Sequence, residues 1–324
     1  MASPETHRLS DQAGQPAEIG YLESMRSLPK LLVLLGPTAT GKSDLGVELA
    51  LEFNGEVISA DSRQVYKNLD LGTGKILPSE MAGVPHHLLD IAEPEQQISS
   101  ITWKQKAEQV ITEILARDRK PILVGGTGFY IQTLTENVIL PDARPSPELR
   151  RKLEKMTTED LNEKIKAQDP KRAETIDPKN RRRLVRALEI IDTLGAVPKI
   201  KTGEKKYHTL KIGLDRPDEE LKTRIKNRLK KRIDQGLITE GENLKKAGLS
   251  DTRMEELGLE YRYLSRYLNG EISRNEMTEK IETTSWQYAK RQRSWFRRDR
   301  SIVWFDPENQ TKIKQAVQEF FQSA

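Results

Sequence analysis

The stretch KLLVLLGPTATGKSDLGVELALEF, residues 30–53, constrains the fold more than any other part of the chain. The run of Leu and Val at 31–35 is short and continuously apolar, so it reads as a strand buried on both faces. Gly36, Pro37, Thr38, Ala39, Thr40, Gly41, Lys42 and Ser43 then complete the pattern G-x-x-x-x-G-K-[ST], and a helical pattern follows. Strand, glycine-rich loop and helix in this order make a phosphate cradle. Backbone N–H groups turn inward around phosphate oxygens, and the helix N-terminus adds partial positive charge. Lys42 can reach a terminal phosphate, and the Ser43 hydroxyl can ligate Mg²⁺. The expected ligand is a di- or triphosphate with Mg²⁺ as cofactor; the loop leaves open which compound carries it.

The rest of the chain repeats the alternation. GEVISADS reads as a strand ending at Asp61, residues 101–116 as an amphipathic helix, and KPILVGGTGFYIQTL as strand, glycine-rich turn and helix. TLKIGLDRPDEELKTRIKNRLKKRID returns to a strand followed by a helix, and SIVWFDP reads as a late strand. The fold class expected is therefore α/β, a P-loop NTPase-like parallel sheet with helices on both faces. Between 141 and 205 the sequence turns charged and helical, with prolines at its joints. This segment is expected to form a mainly helical insertion domain, with 30–140 and 206–324 as the core and 1–29 as a flexible tail.

Composition narrows the setting. The chain has 324 residues, net charge +5 and no cysteine. That excludes disulfides and thiolate metal sites, fits a reducing, cytoplasmic location, and leans toward an acidic partner. No apolar run approaches the ~20 residues of a membrane span, so no membrane association is expected.

Open α/β sheets bind ligands at the carboxyl ends of their strands. SADSRQVY (59–66) and GGTG (125–128) should therefore converge on the loop. At such a strand end Asp61 could hold Mg²⁺, act as a general base, or merely cap a turn; spacing does not separate these. In ELKTRIKNRLKKRID, Leu221, Ile225, Leu229 and Ile233 form an apolar stripe beside Arg224, Arg228 and Arg232. By pattern alone those arginines are a solvated face. SWQYAKRQRSWFRRDR (285–300) mixes basic residues with aromatics, of which Tyr288 and Trp295 are seven apart and expected to face the core.

GPTATGKS, ISADSRQVYKNLDLGTGK, VPHHLLDIAEP, ILVGGTGFYI, NRRRLVRALEI, YLNGEIS and YAKRQRSWF occur in this order. As an ordered set they resemble the tRNA dimethylallyltransferase family of bacterial type, over roughly residues 30–306. The resemblance implies transfer of a dimethylallyl group from dimethylallyl diphosphate to N6 of the adenosine immediately 3′ of the anticodon. The P-loop would grip a leaving diphosphate, and no phosphoryl group would move. Asp61 matches the family's catalytic aspartate. Thr38 matches a threonine that bonds the departing bridging oxygen, and Arg228 an arginine on the diphosphate. The resemblance also places tRNA against Asp61, Ser62, Arg63 and Gln64 near the target base, against Arg182, Arg183 and Arg186 in the insertion, and against Lys290, Arg291, Gln292 and Arg293 near the C-terminus. A monomer is expected.

One departure is Ser285-Trp286, where the family usually has Thr-Arg. Trp286 cannot supply that charge, so Trp286→Arg is expected to be tolerated with equal or higher tRNA affinity. Two other functions compete: a P-loop kinase, or an isopentenyltransferase acting on a free adenine nucleotide. A nucleotide-switch protein should carry N-K-x-D, and this chain has none.

Overall fold

The computed structural model describes residues 28–143 and 146–323. The expected tail at 1–29 therefore lies outside the described residues except for its last two. The chain divides into two compact units, one of residues 136–204 and one of everything around it.

The larger unit begins β1 (Lys30–Leu35), α1 (Lys42–Glu52), β2 (Gly55–Ala60), β3 (His86–His87), α2 (Ser100–Ala116), β4 (Lys120–Gly125) and α3 (Gly128–Thr135). In the smaller unit come β5 (Val138–Ile139), α4 (Pro147–Glu154), α5 (Thr158–Gln168), α6 (Pro170–Ala173), α7 (Arg181–Leu194) and β6 (Lys201–Thr202). The larger unit resumes with β7 (His208–Leu214), α8 (Asp218–Asp234), α9 (Leu237–Lys246), α10 (Asp251–Leu257) and α11 (Leu259–Leu268). It ends with α12 (Arg274–Phe296), β8 (Ile302–Phe305) and α13 (Gln310–Gln322).

Six strands form one sheet in the order β3-β2-β4-β1-β7-β8, with every neighbouring pair parallel. The alternation in β1 explains the layering. Leu31, Val33 and Leu35 enter one core cluster and Leu32 and Leu34 the other. The second cluster is closed by Leu45, Val47 and Leu49 of α1 with Ile313 and Val317 of α13. The first takes Trp103, Ile111 and Ile114 of α2 and apolar residues of α3 and α8 to α12. Both faces are thus covered, as the sequence predicts. Each fully buried Leu contributes about 1.5–3 kcal/mol, so the strand that launches the P-loop is firmly anchored in the sheet.

The smaller unit has its own core, in which Leu161 and Ile165 of α5 meet Leu184, Val185 and Leu188 of α7. A Thr157–Asp160 capping box starts α5 and the Asn180 side chain caps α7. Its boundary falls at 136 rather than 141 because Val138 pairs with Thr202 and Ile139 with Lys201. That short antiparallel ladder ties both connecting strands to the insertion rather than to the sheet.

Candidate active site

β1 ends where Gly36 passes within touching distance of β7. A Cβ at Gly36 would lie 2.2 Å from the Leu214 carbonyl oxygen, so only glycine lets the loop leave the sheet here. The P-loop then curls with Ala39 and Gly41 at positive φ, and α1 begins at Lys42. Two arginines outside the motif brace the curl: Arg224 Nε donates to the Ala39 carbonyl at 2.8 Å, and Arg216 Nε to that of Thr40 at 3.3 Å.

A cavity of about 310 Å³ opens at the carboxyl ends of the strands. It brings together Thr38, Ala39, Gly41, Lys42, Ser43, Asp61, Arg63, Gln64 and Arg228, residues spread over almost 200 positions of sequence. Arg228 Nη2 donates to the Thr38 hydroxyl at 2.5 Å. Lys42 Nζ folds back onto the Pro37 carbonyl at 2.5 Å and the Thr40 hydroxyl at 3.3 Å. Burial, and next the Arg228 cation, push the Lys42 ammonium down to about 7; Asp61 opposes them. Arg228 is pushed down to about 9, chiefly by burial and then by Arg232. An anion bound beside these two cations would offset the cost of burying them.

Asp61 is the first residue past β2. Its Oδ1 accepts the backbone N–H groups of Arg63 at 2.9 Å and Gln64 at 3.4 Å, so it does cap a turn. That leaves Oδ2 with no hydrogen-bond partner among the described residues. The turn is fixed from the other side by Thr127, whose Oγ1 accepts the Ser62 N–H at 3.0 Å. Tyr288 lines the same cavity, and burial followed by the Asp61 charge pushes its hydroxyl up to about 12. Tyr288 therefore stays protonated beside the Asp61 carboxylate.

Several expected tRNA contacts are committed elsewhere. Gln64 is tied down, its Oε1 accepting from the Ser59 hydroxyl and its Nε2 donating to the Gly74 carbonyl, each at 3.2 Å. Gln292 is turned inward and buried, because α12 packs through Ser285, Ala289, Gln292 and Phe296 at heptad-like spacing. Arg293 donates to Asp215 Oδ1 at 2.8 Å, to Asp218 and to the Arg216 carbonyl, so it braces the base of α8. Arg186 holds Glu189, itself fully buried, at 3.2 Å and the Ala143 carbonyl at 2.8 Å. Lys290, Arg291, Arg182 and Arg183 are exposed, and the Arg63 guanidinium lies 5.7 Å from the Tyr288 ring centre.

Tyr288 and Trp295 are both half-buried; Trp295 packs against the first core cluster as expected, whereas Tyr288 lines the cavity. Trp286 is partly buried on Leu221, Ile225 and Ala289, with the ammonium groups of Lys222 and Lys290 at 5.3 and 5.6 Å from its ring. An arginine in its place would meet two cations, which argues against the expectation that Trp286→Arg is tolerated with equal or higher tRNA affinity.

Two supports escaped the sequence reading. Glu240 accepts three successive backbone N–H groups, of Asp70, Leu71 and Gly72, and the Tyr261 hydroxyl, at 2.7–2.9 Å. It thereby fixes the loop that forms one cavity wall. Arg232, buried and paired with Glu260 at 3.3 Å, packs where Gly74 has no side chain. The glycines of LDLGTGK were the available signal, since each admits a close neighbour.

Residues 64–299 match the family described as IPP transferase. The chain belongs to the IPP transferase family. A tRNA dimethylallyltransferase of Bacillus pumilus is 40% identical over 284 residues, covering 85% of this chain and 89% of that one. One from Anoxybacillus flavithermus is 41% identical over 295 residues, covering 90% and 94%. Among solved structures, a full-length tRNA isopentenylpyrophosphate transferase from Bacillus halodurans superposes with a TM-score of 0.69 at 36% identity, covering 90% of this chain and 97% of its own. A eukaryotic dimethylallyltransferase acting on tRNA gives 0.78 at 26% identity, covering 90% and 79%. In this IPP transferase the family match starts beyond the P-loop, yet the fold returns α8 and α12 to it.

Proposed function

We propose that this enzyme transfers a dimethylallyl group from dimethylallyl diphosphate to N6 of the adenosine immediately 3′ of the anticodon in tRNA, releasing diphosphate. The observation that carries this reading is the meeting, in one cavity, of a P-loop, the Thr38–Arg228 pair and a half-free carboxylate at Asp61. A kinase could use the same three groups, but it leaves the DSRQVY block and the exposed basic residues Lys290 and Arg291 without a task.

The exocyclic amine of adenine is a poor nucleophile because its lone pair is delocalised into the ring. Asp61 Oδ2 takes its proton as nitrogen attacks the first carbon of the prenyl group. The carbon–oxygen bond breaks, and its electron pair leaves on the diphosphate. Loop N–H groups, Lys42 and Arg228 stabilise that growing charge. Thr38 accepts from Arg228, so its own O–H is available to donate to the departing bridging oxygen.

No group of three His, Cys, Asp or Glu converges to cage a metal among the described residues. The donor at hand is the Ser43 hydroxyl, a hard oxygen that suits Mg²⁺ completing its shell with water and phosphate oxygens. Mg²⁺ held there would neutralise part of the diphosphate charge. Asp61 lines the same cavity and can contribute through water.

Inorganic pyrophosphate is expected to compete with the prenyl donor, with no ATP consumed during turnover. ATP hydrolysis that depends on Lys42 and accompanies turnover would support the kinase reading instead. The Lys42 ammonium adds a pH signature. In the free enzyme it sits near 7, and a bound anion restores it upward. Pyrophosphate binding therefore takes up a proton above pH 7, and affinity falls as pH rises through that range. Calorimetry in buffers of different ionisation enthalpy should show more uptake for wild type than for Lys42→Met. Equal uptake in the two would contradict it.

For tRNA, we take Lys290 and Arg291, both exposed on α12, to meet phosphates. Changing both to Ala is expected to lower the log–log salt slope of tRNA binding by about 0.7–0.9 for each phosphate interaction removed, with pyrophosphate affinity unchanged. An unaltered slope would exclude this face. The absence of cysteine fits a cytoplasmic enzyme, and we take it to act as a monomer.

A further inference from the structure

Gln292 is a polar residue in the buried seam of α12, 6% exposed. Its Oε1 accepts the Thr38 N–H at 2.8 Å, and its Nε2 donates to the Gly126 carbonyl at 2.9 Å. One carboxamide thus spans two loops, in the single orientation that satisfies both. Both loops lead directly to reacting groups. Thr38 is the residue whose hydroxyl meets Arg228. Gly126 lies between two residues that hold the Asp61 turn. Gly125 packs so closely on Ala60 that a Cβ would lie 2.3 Å from its carbonyl oxygen. Thr127 donates its N–H to that same oxygen at 3.1 Å and accepts from Ser62. Ala60 and Ser62 flank Asp61. At Gly126 itself a Cβ would lie 2.2 Å from Gln292 Nε2, so the approach is built on both sides.

We propose that Gln292 is a positioning residue for the alkyl transfer, setting the separation between Thr38 at the leaving oxygen and Asp61 at the attacking amine. This rests on the prenyl-transfer reading above. In that reaction the N–C bond forms as the C–O bond breaks, the electron pair departs on diphosphate and the amine proton passes to Asp61. The two helper groups therefore stand at opposite ends of one line through carbon. A misplacement of one end by about 1 Å costs about 10²-fold in rate while leaving each substrate bound. A tRNA contact, which residue type and neighbours suggest for Gln292, is not open to a side chain with both polar atoms occupied below the surface.

The test uses the full-length enzyme with Gln292→Met, which keeps the volume and loses both bonds, and Gln292→Asn, which keeps the amide and loses reach. Steady-state kinetics with tRNA and dimethylallyl diphosphate are run beside pyrophosphate binding and thermal melts. The expected result is a kcat about 10²-fold lower for both variants, with both KM values and pyrophosphate affinity within about threefold of wild type. Unchanged kcat overturns the proposal. So does a raised KM for tRNA at normal kcat, which would make Gln292 an ordinary tRNA contact. Parallel loss of melting temperature and pyrophosphate affinity also overturns it, since Gln292 would then only support the fold. If wild type itself modifies no tRNA while binding pyrophosphate, the prenyl-transfer reading fails first and the role assigned to Gln292 falls with it.

Discussion

Replacing Asp61 with Asn is expected to lower single-turnover prenylation by about 10²–10⁴-fold, the range a positioned general base supplies. Asparagine is the informative substitution because Asp61 does two things. Its Oδ1 holds the N–H groups of Arg63 and Gln64, and an amide oxygen can go on doing so. Its other oxygen has no hydrogen-bond partner among the described residues, and there the change removes a base and installs a donor. Pyrophosphate and tRNA affinities should therefore stay near wild type while the chemical step fails. A variant that keeps near-normal rates in a single-turnover assay would show that the amine loses its proton to something else, and Asp61 would be reduced to a turn cap.

The second large effect is expected at Arg228. Arg228→Met should cost about 10²–10³-fold in kcat, as loss of a group aimed at developing oxyanion charge does elsewhere, together with weaker pyrophosphate binding. The geometry gives this variant a second readout. Arg228 is one cause, after burial, of the low Lys42 value near 7. Without it the Lys42 ammonium should hold its proton to higher pH, and proton uptake on pyrophosphate binding should shrink. A variant with normal kcat and normal pyrophosphate binding would place Arg228 outside the leaving-group machinery.

The P-loop, the layered parallel sheet and the meeting of three strand ends were legible because each has a local signal. A continuous apolar run has one stable use, and G-x-x-x-x-G-K-[ST] between strand and helix has one common geometry. Arg228 was not legible from pattern: its neighbours Arg224 and Arg232 repeat every four residues as solvated faces do, and it took the resemblance to single it out. The structure explains why the pattern misleads. Each arginine of the stripe has a partner inside the protein: Arg224, though exposed, on the Ala39 carbonyl, Arg228 on Thr38 and buried Arg232 on Glu260.

Errors at the basic tail have the same origin. Lys290, Arg291, Gln292 and Arg293 are adjacent and polar, so they read as one surface. A helix turns by 100° per residue, and four successive residues cannot share a face. Two remain exposed, one enters the seam and one pairs with Asp215 and Asp218. The carboxylates that claim Arg293 lie about 75 positions away, beyond the reach of any local pattern. Glu240 was invisible for the same reason, since its partners at 70–72 are known only once α9 is packed.

On the proposed reading the P-loop grips a leaving group while an alkyl chain moves to RNA. Incubating the purified enzyme with unmodified tRNA, dimethylallyl diphosphate and Mg²⁺, then analysing the digested nucleosides by mass spectrometry, tests it most directly. The expected result is one prenyl group on the adenosine 3′ of the anticodon, one pyrophosphate released per modified tRNA and no requirement for ATP. Unmodified tRNA with prenylated free adenine nucleotide, or a phosphorylated product formed at the expense of ATP, would contradict it.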